Sequence, residues 1–317
     1  MSLTVTAYQH GIYPRSEALV QATRDVERGR TTVDAVDAAF DQDRAAFLEI
    51  QREAKLDYIS DGLLRWQDLF RPLVDSAEGL DAQVLVRWFN NNSFFRAPQP
   101  NGRPTFRTLP TWVLENGIPE SRVASLPSPY LFSRAAQFEG DRDALMKALT
   151  GAILVPAIAD LRRSGFDLIH LEEPWLGYYG IEDDSWAPFE AAMSVIRAAA
   201  GDSTVILHTY YGDVAPHADR LRRLPVDAIG IDFDETDDEE LPAPWGTGLL
   251  AGVFDGRRSV TEAAGDVSEF VAGVVERLQP TSLFLSSGTD LELSGPQVAP
   301  LKVRALGRAA EMLREIL

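Results

Sequence analysis

An apolar run from Phe166 to Leu171 ends in Glu172, Glu173 and Pro174, and three later runs end in the same way. Thr204 to Leu207 meets His208, Ala228 to Ile231 meets Asp232, and Leu249 to Phe254 meets Asp255. An imidazole oriented by a carboxylate can move protons, and the same donors can hold an oxygen- and nitrogen-coordinated divalent metal. The expected core of such a site is His208 with Glu172 and Asp232, and any metal would use His208 and Asp232. His10, Asp61, Glu173, Tyr210, Asp255, Thr289 and Asp290 are expected on the same rim. The plainer alternative is that His208 and Glu173 only hydrogen-bond inside the rim, and that His10 only steadies the first turn.

These residues need strands that deliver them to one end. Apolar runs at Thr4–His10, Leu56–Ile59, Val123–Leu126, Phe166–Leu171, Thr204–Leu207, Ala228–Ile231, Leu249–Phe254 and Ser282–Leu285 supply eight. Helical stretches separate most of them: Ser16–Arg28 and Thr32–Glu53, then Trp66–Val74, Asp141–Ser164, Trp186–Ala199, Pro216–Arg223, Val267–Leu278 and Val298–Leu317. Strand and helix in alternation, with ionisable groups at the carboxyl ends of strands, predict an α/β fold, a single (β/α)8 TIM barrel over residues 1–317. From about residue 81 to 121 the rhythm breaks. Val84–Phe89 is strand-like, Asn90–Asn92 is a turn, and the segment to Asn116 is rich in Pro, Arg and aromatics, so a hairpin-like insertion after the second strand is expected. Its Arg87, Arg96, Arg103 and Arg107 could receive a polyanionic ligand or could pair with neighbouring acids.

Composition removes several classes of function. The chain has 317 residues and no cysteine, which excludes disulfides, thiol nucleophiles and thiolate metal sites. A net charge of −18 repels phosphate backbones and anionic lipid, so neither nucleic acid nor membrane is an expected partner. Only Lys55, Lys147 and Lys302 are lysines among 30 basic residues. Excess acid with little lysine suggests a salt-rich cytoplasm, where screening relieves self-repulsion. No apolar run approaches the roughly 20 residues of a membrane span, and the N-terminal residues lack the pattern of a secretory signal. There is no G-x-G-x-x-G after a strand, no G-x-x-x-x-G-K-[ST] and no G-x-S-x-G elbow.

The stretches HGIYPR, ISDGLLRW, SLPSPYLF, LIHLEEPWL, HTYYGD, LLAGVFDGR and LFLSSGTDLE, in this order and spacing, resemble the cobalamin-independent methionine synthases. That family has two related barrels, of which the C-terminal one holds zinc and homocysteine while methyl-tetrahydrofolate lies between them. The resemblance matches the family's zinc positions to His208, Tyr210, Asp232 and, at about the last, Thr289, so both thiolates are replaced. A family-type zinc site is therefore not expected. Substrate positions match Ile12 and Leu63, with Glu172 at the acid that grips the amino group.

RWFNNN, HTYYGD, GLLAGVFDGR and SSGTDLEL look more like the family's N-terminal barrel, which lacks the zinc ligands. The resemblance implies folate-dependent methyl transfer to homocysteine, with this chain as the folate-supporting half of a split enzyme beside a separate zinc-bearing barrel. The arginines of the insertion would then meet the carboxylates of a methyl-tetrahydrofolate polyglutamate tail. The alternatives are a stand-alone methyltransferase, with Glu172, His208 and Asp232 around the acceptor and Tyr210 as a polar contact, and a non-catalytic barrel that binds a small folate or thiol metabolite.

Overall fold

The computed structural model describes residues 3–66, 68–114 and 117–317. Its strands are β1 (Val5–Ala7), β2 (Ala77–Arg87), β3 (Phe94–Phe106), β4 (Arg122–Pro127), β5 (Phe166–Glu172), β6 (Thr204–Thr209), β7 (Ala228–Asp232), β8 (Gly248–Gly252) and β9 (Leu283–Ser286). Seven of them form one parallel sheet in the order β1-β9-β8-β7-β6-β5-β4, and its strands are nearly wholly buried, as parallel strands covered by helices must be. The ring closes through a short eighth segment: Tyr58 bridges Tyr8, Ile59 bridges Arg122, and the Val123 N–H donates to the Ile59 carbonyl at 3.2 Å. The fold is a TIM-type barrel, as the strand and helix rhythm predicts.

The expected strand at Leu56–Ile59 is reduced to those bridges. Before it, Lys55 turns the chain at φ 52°, and after it Gly62 and Leu63 do so at φ 67° and 48°, which leaves little extended backbone between two left-handed turns. Of the helix expected over Trp66–Val74, Gln67 lies outside the described residues and Arg71–Val74 forms, with Pro72 in its first turn, where a residue without an N–H is tolerated. The helix expected over Asp141–Ser164 does form from Arg142 to Arg163, but Thr150–Leu154 is wound as π-helix just ahead of Pro156. A proline there removes one backbone bond and crowds the preceding turn, and the wider turn absorbs it. Contrary to the sequence expectation, this run is long and apolar enough to cross a bilayer, but 56% of its apolar window is buried, with Leu145, Met146, Leu149, Ile153 and Leu154 in the core.

β2 and β3 pair antiparallel as a hairpin that leaves the barrel between the second and third barrel strands. The hairpin packs Trp88 and Phe95 against Phe70, which anchors it to the barrel through aromatic contacts. Gly79 crosses so close to the Arg103 carbonyl that a Cβ would lie 2.4 Å from it, which pins the register at the first bulge.

Inside the barrel, successive inward residues alternate with outward ones. Tyr8, Val123, Leu168, Ile206, Ala228, Leu250 and Phe284, one from each of seven barrel segments, form a self-contained apolar layer. The inward residues two positions on are His10, Ser125, His170, His208, Gly230, Gly252 and Ser286, so the next layer up is polar. The outer helices lock this arrangement. Gly307 of the final helix (Ala299–Ile316) lies against Ala54, whose carbonyl oxygen would be 2.1 Å from an added Cβ. Gly307→Ala should therefore lower stability by roughly 1–3 kcal/mol, read as a lower midpoint of urea unfolding; an unchanged midpoint would mean that this helix is free to slide.

Candidate functional site

The polar layer brings three of the chain's four histidines together. His10 follows β1, His170 lies in β5 and His208 in β6, and ligand-capable nitrogens of all three lie within 4.8 Å of one another. The His10 and His170 rings stack at 4.1 Å, while His208 meets both edge-on at 4.8 and 5.2 Å. There is room for His208 because the facing positions are glycines: a Cβ on Gly230 would lie 2.6 Å from its ring, and one on Gly252 would lie 3.2 Å from its Nε2. His10 Nδ1 lies 2.9 Å from the Ser286 hydroxyl, and His170 Nδ1 lies 2.8 Å from the Tyr8 hydroxyl. Burial lowers the pKa of His10 to about 3 and those of His170 and His208 well below the usual imidazole value, so all three rings are neutral.

Glu172 and Asp290 sit directly above. Glu172 accepts a 2.8 Å hydrogen bond from the Tyr210 hydroxyl, and Asp290 accepts one of 2.7 Å from the Ile12 N–H. Oxygens of both acids lie within 4.8 Å of a His10 nitrogen. The chain at Gly11, at φ 69°, passes so near Asp290 that a Cβ would lie 1.6 Å from its Oδ1. Burial raises the Glu172 pKa well above normal, with Asp290 repelling its charge, and burial moves Asp290 up to about 7. Among the described residues, no Arg or Lys is hydrogen-bonded to either acid.

The other expected residues do different things. Glu173 caps two helices: its Oε1 accepts from the Leu176 N–H at 2.8 Å, and its Oε2 accepts from the Ser128 hydroxyl and the Leu131 N–H. Asp232 is buried at the end of β7, with its oxygens near the Asp234 and Tyr211 N–H groups at 3.2 and 3.5 Å, and does not belong to the histidine cluster. Asp255 is held by Arg257 and Arg258. Thr289 is buried, with its hydroxyl 3.4 Å from the Asp290 carbonyl. Asp61 accepts from the Leu63 N–H and lies beside Phe40 and Arg44, outside the close donor sets. Arg87, Arg96, Arg103 and Arg107 are all exposed on the hairpin; Arg87 lies over Phe94, Arg96 donates to the Gln83 carbonyl, and Arg107 pairs with Glu78 at 3.0 Å.

Two features escape the strand-end reading. His170 lies inside an apolar run, but its spacing of two from Leu168 and Glu172 places it on the inward face. An aromatic rim joins the hairpin to the loops after β5 and β6: Phe89 packs within 6.0 Å of Trp175, Tyr178, Tyr179 and Tyr211, and Tyr179 is 60% exposed. Beside it lies an open cavity of about 660 Å³ lined by Trp175, Tyr179, Tyr130, Arg134, Arg142 and His217.

The zinc of the family's catalytic barrel does not fit these residues. At its four positions Tyr210 is engaged with Glu172, Asp232 accepts backbone N–H groups, Thr289 is a neutral hydroxyl, and the chain contains no thiolate. What the geometry offers is a buried cluster of neutral imidazoles and uncharged-leaning carboxyls that can hold a cation or exchange a proton with a bound group. Asp232 has its own pH signature, since burial pushes its pKa up to about 7. Between about pH 4, where the unfolded side chain titrates, and pH 7 only the folded chain keeps this proton, so stability falls as pH rises across that window, by up to about 1.4 kcal/mol per unit. Asp232→Asn should remove that part of the slope in unfolding measured from pH 4 to 8, and an unaltered slope would place the titration elsewhere.

Residues 73–278 match the family described as cobalamin-independent synthase, N-terminal domain. The 5-methyltetrahydropteroyltriglutamate--homocysteine methyltransferase of Vibrio cholerae is 27% identical over 375 residues, covering 94% of this chain and 47% of that protein. The enzyme of the same name from Herpetosiphon aurantiacus is 26% identical over 230 residues, covering 69% of this chain and 30% of that protein. The chain thus spans less than half the length of these relatives. Among solved structures, a B12-independent methionine synthase from Shewanella sp. W3-18-1 in complex with selenomethionine superimposes with a TM-score of 0.75 at 16% identity, covering 99% of both chains. A putative vitamin-B12 independent methionine synthase from Listeria monocytogenes gives a TM-score of 0.76 at 16% identity, covering 98% of this chain and 99% of that one, and both likenesses show the shared barrel fold. With well over half of its length inside the family's match, the chain belongs to the cobalamin-independent synthase family, on the side of its N-terminal domain.

Proposed function

We propose that this chain supports folate-dependent methyl transfer to homocysteine as the barrel without a thiolate zinc site, acting beside a separate zinc-bearing barrel. The observation that carries this reading is the match to the family's N-terminal domain in a chain without cysteine, because activation of a thiol by the family's zinc needs ligands this barrel lacks. The curated relatives carry a folate-type methyl donor in their names, 5-methyltetrahydropteroyltriglutamate, and its three glutamates make a polyanionic tail. The exposed Arg87, Arg96, Arg103 and Arg107 would meet that tail, since guanidinium and carboxylate pair in a planar, two-pronged geometry. The rim of Phe89, Trp175 and Tyr179, with the neighbouring cavity in the size range of small-molecule sites, would stack the pterin ring.

One observation favours a second reading, a stand-alone methyltransferase. The Shewanella protein solved with selenomethionine is covered almost end to end by this single barrel, so a partner barrel is not a requirement of that fold. In that case Glu172, held by Tyr210, would grip the amino group of the acceptor, with His208 and Asp232 nearby.

The working compartment is a salt-rich cytoplasm, where screening relieves the net charge of −18. Homocysteine methylation from methyl-tetrahydrofolate polyglutamate, assayed in high salt, should require addition of a zinc-bearing barrel, and replacing all four hairpin arginines by Gln should raise the KM for the folate about tenfold or more with little change in kcat. Turnover by the purified chain alone, lost in His208→Ala, would overturn the split-enzyme reading and establish the second one. Raising KCl from 0.1 to 2 M should also raise the melting temperature; a melting temperature that falls with KCl would argue against the salt-rich setting.

A further inference from the structure

We propose that His10, His170 and His208 form a metal site for a divalent transition metal such as zinc, sharing only His208 with the family's zinc positions, with the Glu172 carboxyl adjacent. The inference stands on the geometry of the polar layer and does not depend on the methyl-transfer role.

Four ring nitrogens in this cluster, His10 Nε2, His170 Nε2 and both nitrogens of His208, are buried with no hydrogen-bond partner, and so is Glu172 Oε1. Folded proteins pair nearly all buried polar atoms, and each one left alone costs on the order of 1–3 kcal/mol. Five in one small space are more than packing error explains, and they converge: the three imidazoles share one set of atoms within 4.8 Å, and His10, Glu172 and Asp290 share another. A single cation can take one nitrogen from each of the three rings.

The surroundings are those of a ligating imidazole. Nδ1 of His10 faces the Ser286 hydroxyl and Nδ1 of His170 faces the Tyr8 hydroxyl, which lets each ring donate from Nδ1 and present the lone pair of Nε2 inward. Metal-bound histidines are held in this way by a second hydrogen bond that sets tautomer and angle. Neutral imidazole is the form that binds metal.

Three nitrogen donors with no thiolate select zinc, iron or another imidazole-preferring metal over magnesium or calcium. Ligand atoms around tetrahedral zinc stand roughly 3.3 Å apart, so binding draws the rings inward and turns His10 or His170 out of its stacked position. A three-histidine set leaves one coordination position open, on the side of Glu172. Gly230 and Gly252 allow His208 the ring movement that this requires.

The test uses the intact chain, stripped with chelator under mild denaturant, refolded in high salt with and without zinc, and desalted before metal analysis. One zinc per chain is expected, with a higher melting temperature for the loaded protein, since a ligand that binds only the folded state stabilises it. Cobalt(II) titration should give one equivalent with visible bands of a four- or five-coordinate site. His170→Asn and His208→Asn should weaken zinc binding at least 100-fold, Tyr8→Phe about tenfold, and His217→Asn, the histidine outside the cluster, not at all. Less than about 0.1 zinc per refolded wild-type chain would overturn the site, leaving only trapped water among the rings. Stoichiometric zinc retained by a folded His10→Gln, His170→Asn double variant would overturn it as well. Should the histidine variants fail to fold, the wild-type stoichiometry and its zinc-dependent melting shift decide alone. Metal content is measured without any methyl-transfer assay, so loss of this proposal and loss of the functional reading are separate results.

Discussion

Every inward polar side chain of a closed barrel is cut off from water, and that constraint organises the rest of this molecule. With strands alternating inward and outward at a period of two, the apolar layer of Leu168, Ile206 and Leu250 is followed by a layer holding His170, His208 and Gly252. Among the described residues, nothing charged is hydrogen-bonded to the imidazoles there, and burial keeps them neutral. The carboxyls above them meet the same low polarity, and Glu172 and Asp290 repel each other across it. Burial, the alternation and the glycines that clear space for His208 are one structural fact seen from three sides.

The same period separates the roles of two adjacent acids. Glu172 points into the barrel and binds Tyr210, while Glu173, one residue on, turns outward and secures the first turns of the helices Pro129–Ala135 and Pro174–Tyr179. Free N–H groups at a helix start favour a carboxylate acceptor, so Glu173 has an architectural task that accounts for its burial. The strand end thus carries one acid for the site and one for the frame, and the frame holds the aromatic rim of Trp175 and Tyr179 beside the hairpin.

Family membership and local chemistry pull in different directions at the barrel mouth. The chain belongs to the cobalamin-independent synthases, yet tyrosine and threonine stand where the resemblance places thiolates, and neither supplies a soft anionic ligand. Without thiolates, the closely grouped donors among the described residues are His208 with His10 and His170, and His10 with Glu172 and Asp290. The imidazoles among them are borderline nitrogen donors that ligate without carrying charge into the core.

The sequence by itself determined the barrel and which end would be functional, because buried parallel strands are continuous apolar runs and their ends are where ionisable residues begin. Glu172, His208 and Asp290 were legible in that way, as were the hairpin and the loss of thiolate. Tertiary structure decided which of these groups meet. Asp232 and Asp61 share the strand-end pattern but stay outside the close donor set: Asp232, two residues past the inward Gly230, is held by the Asp234 and Tyr211 N–H groups, and Asp61 lies beside Phe40 and Arg44, separations that strand ends alone do not specify. His170 was hidden within an apolar run and became part of the site only when the barrel closed around it, bringing β5 and β6 beside the segment after β1 from more than 150 residues away.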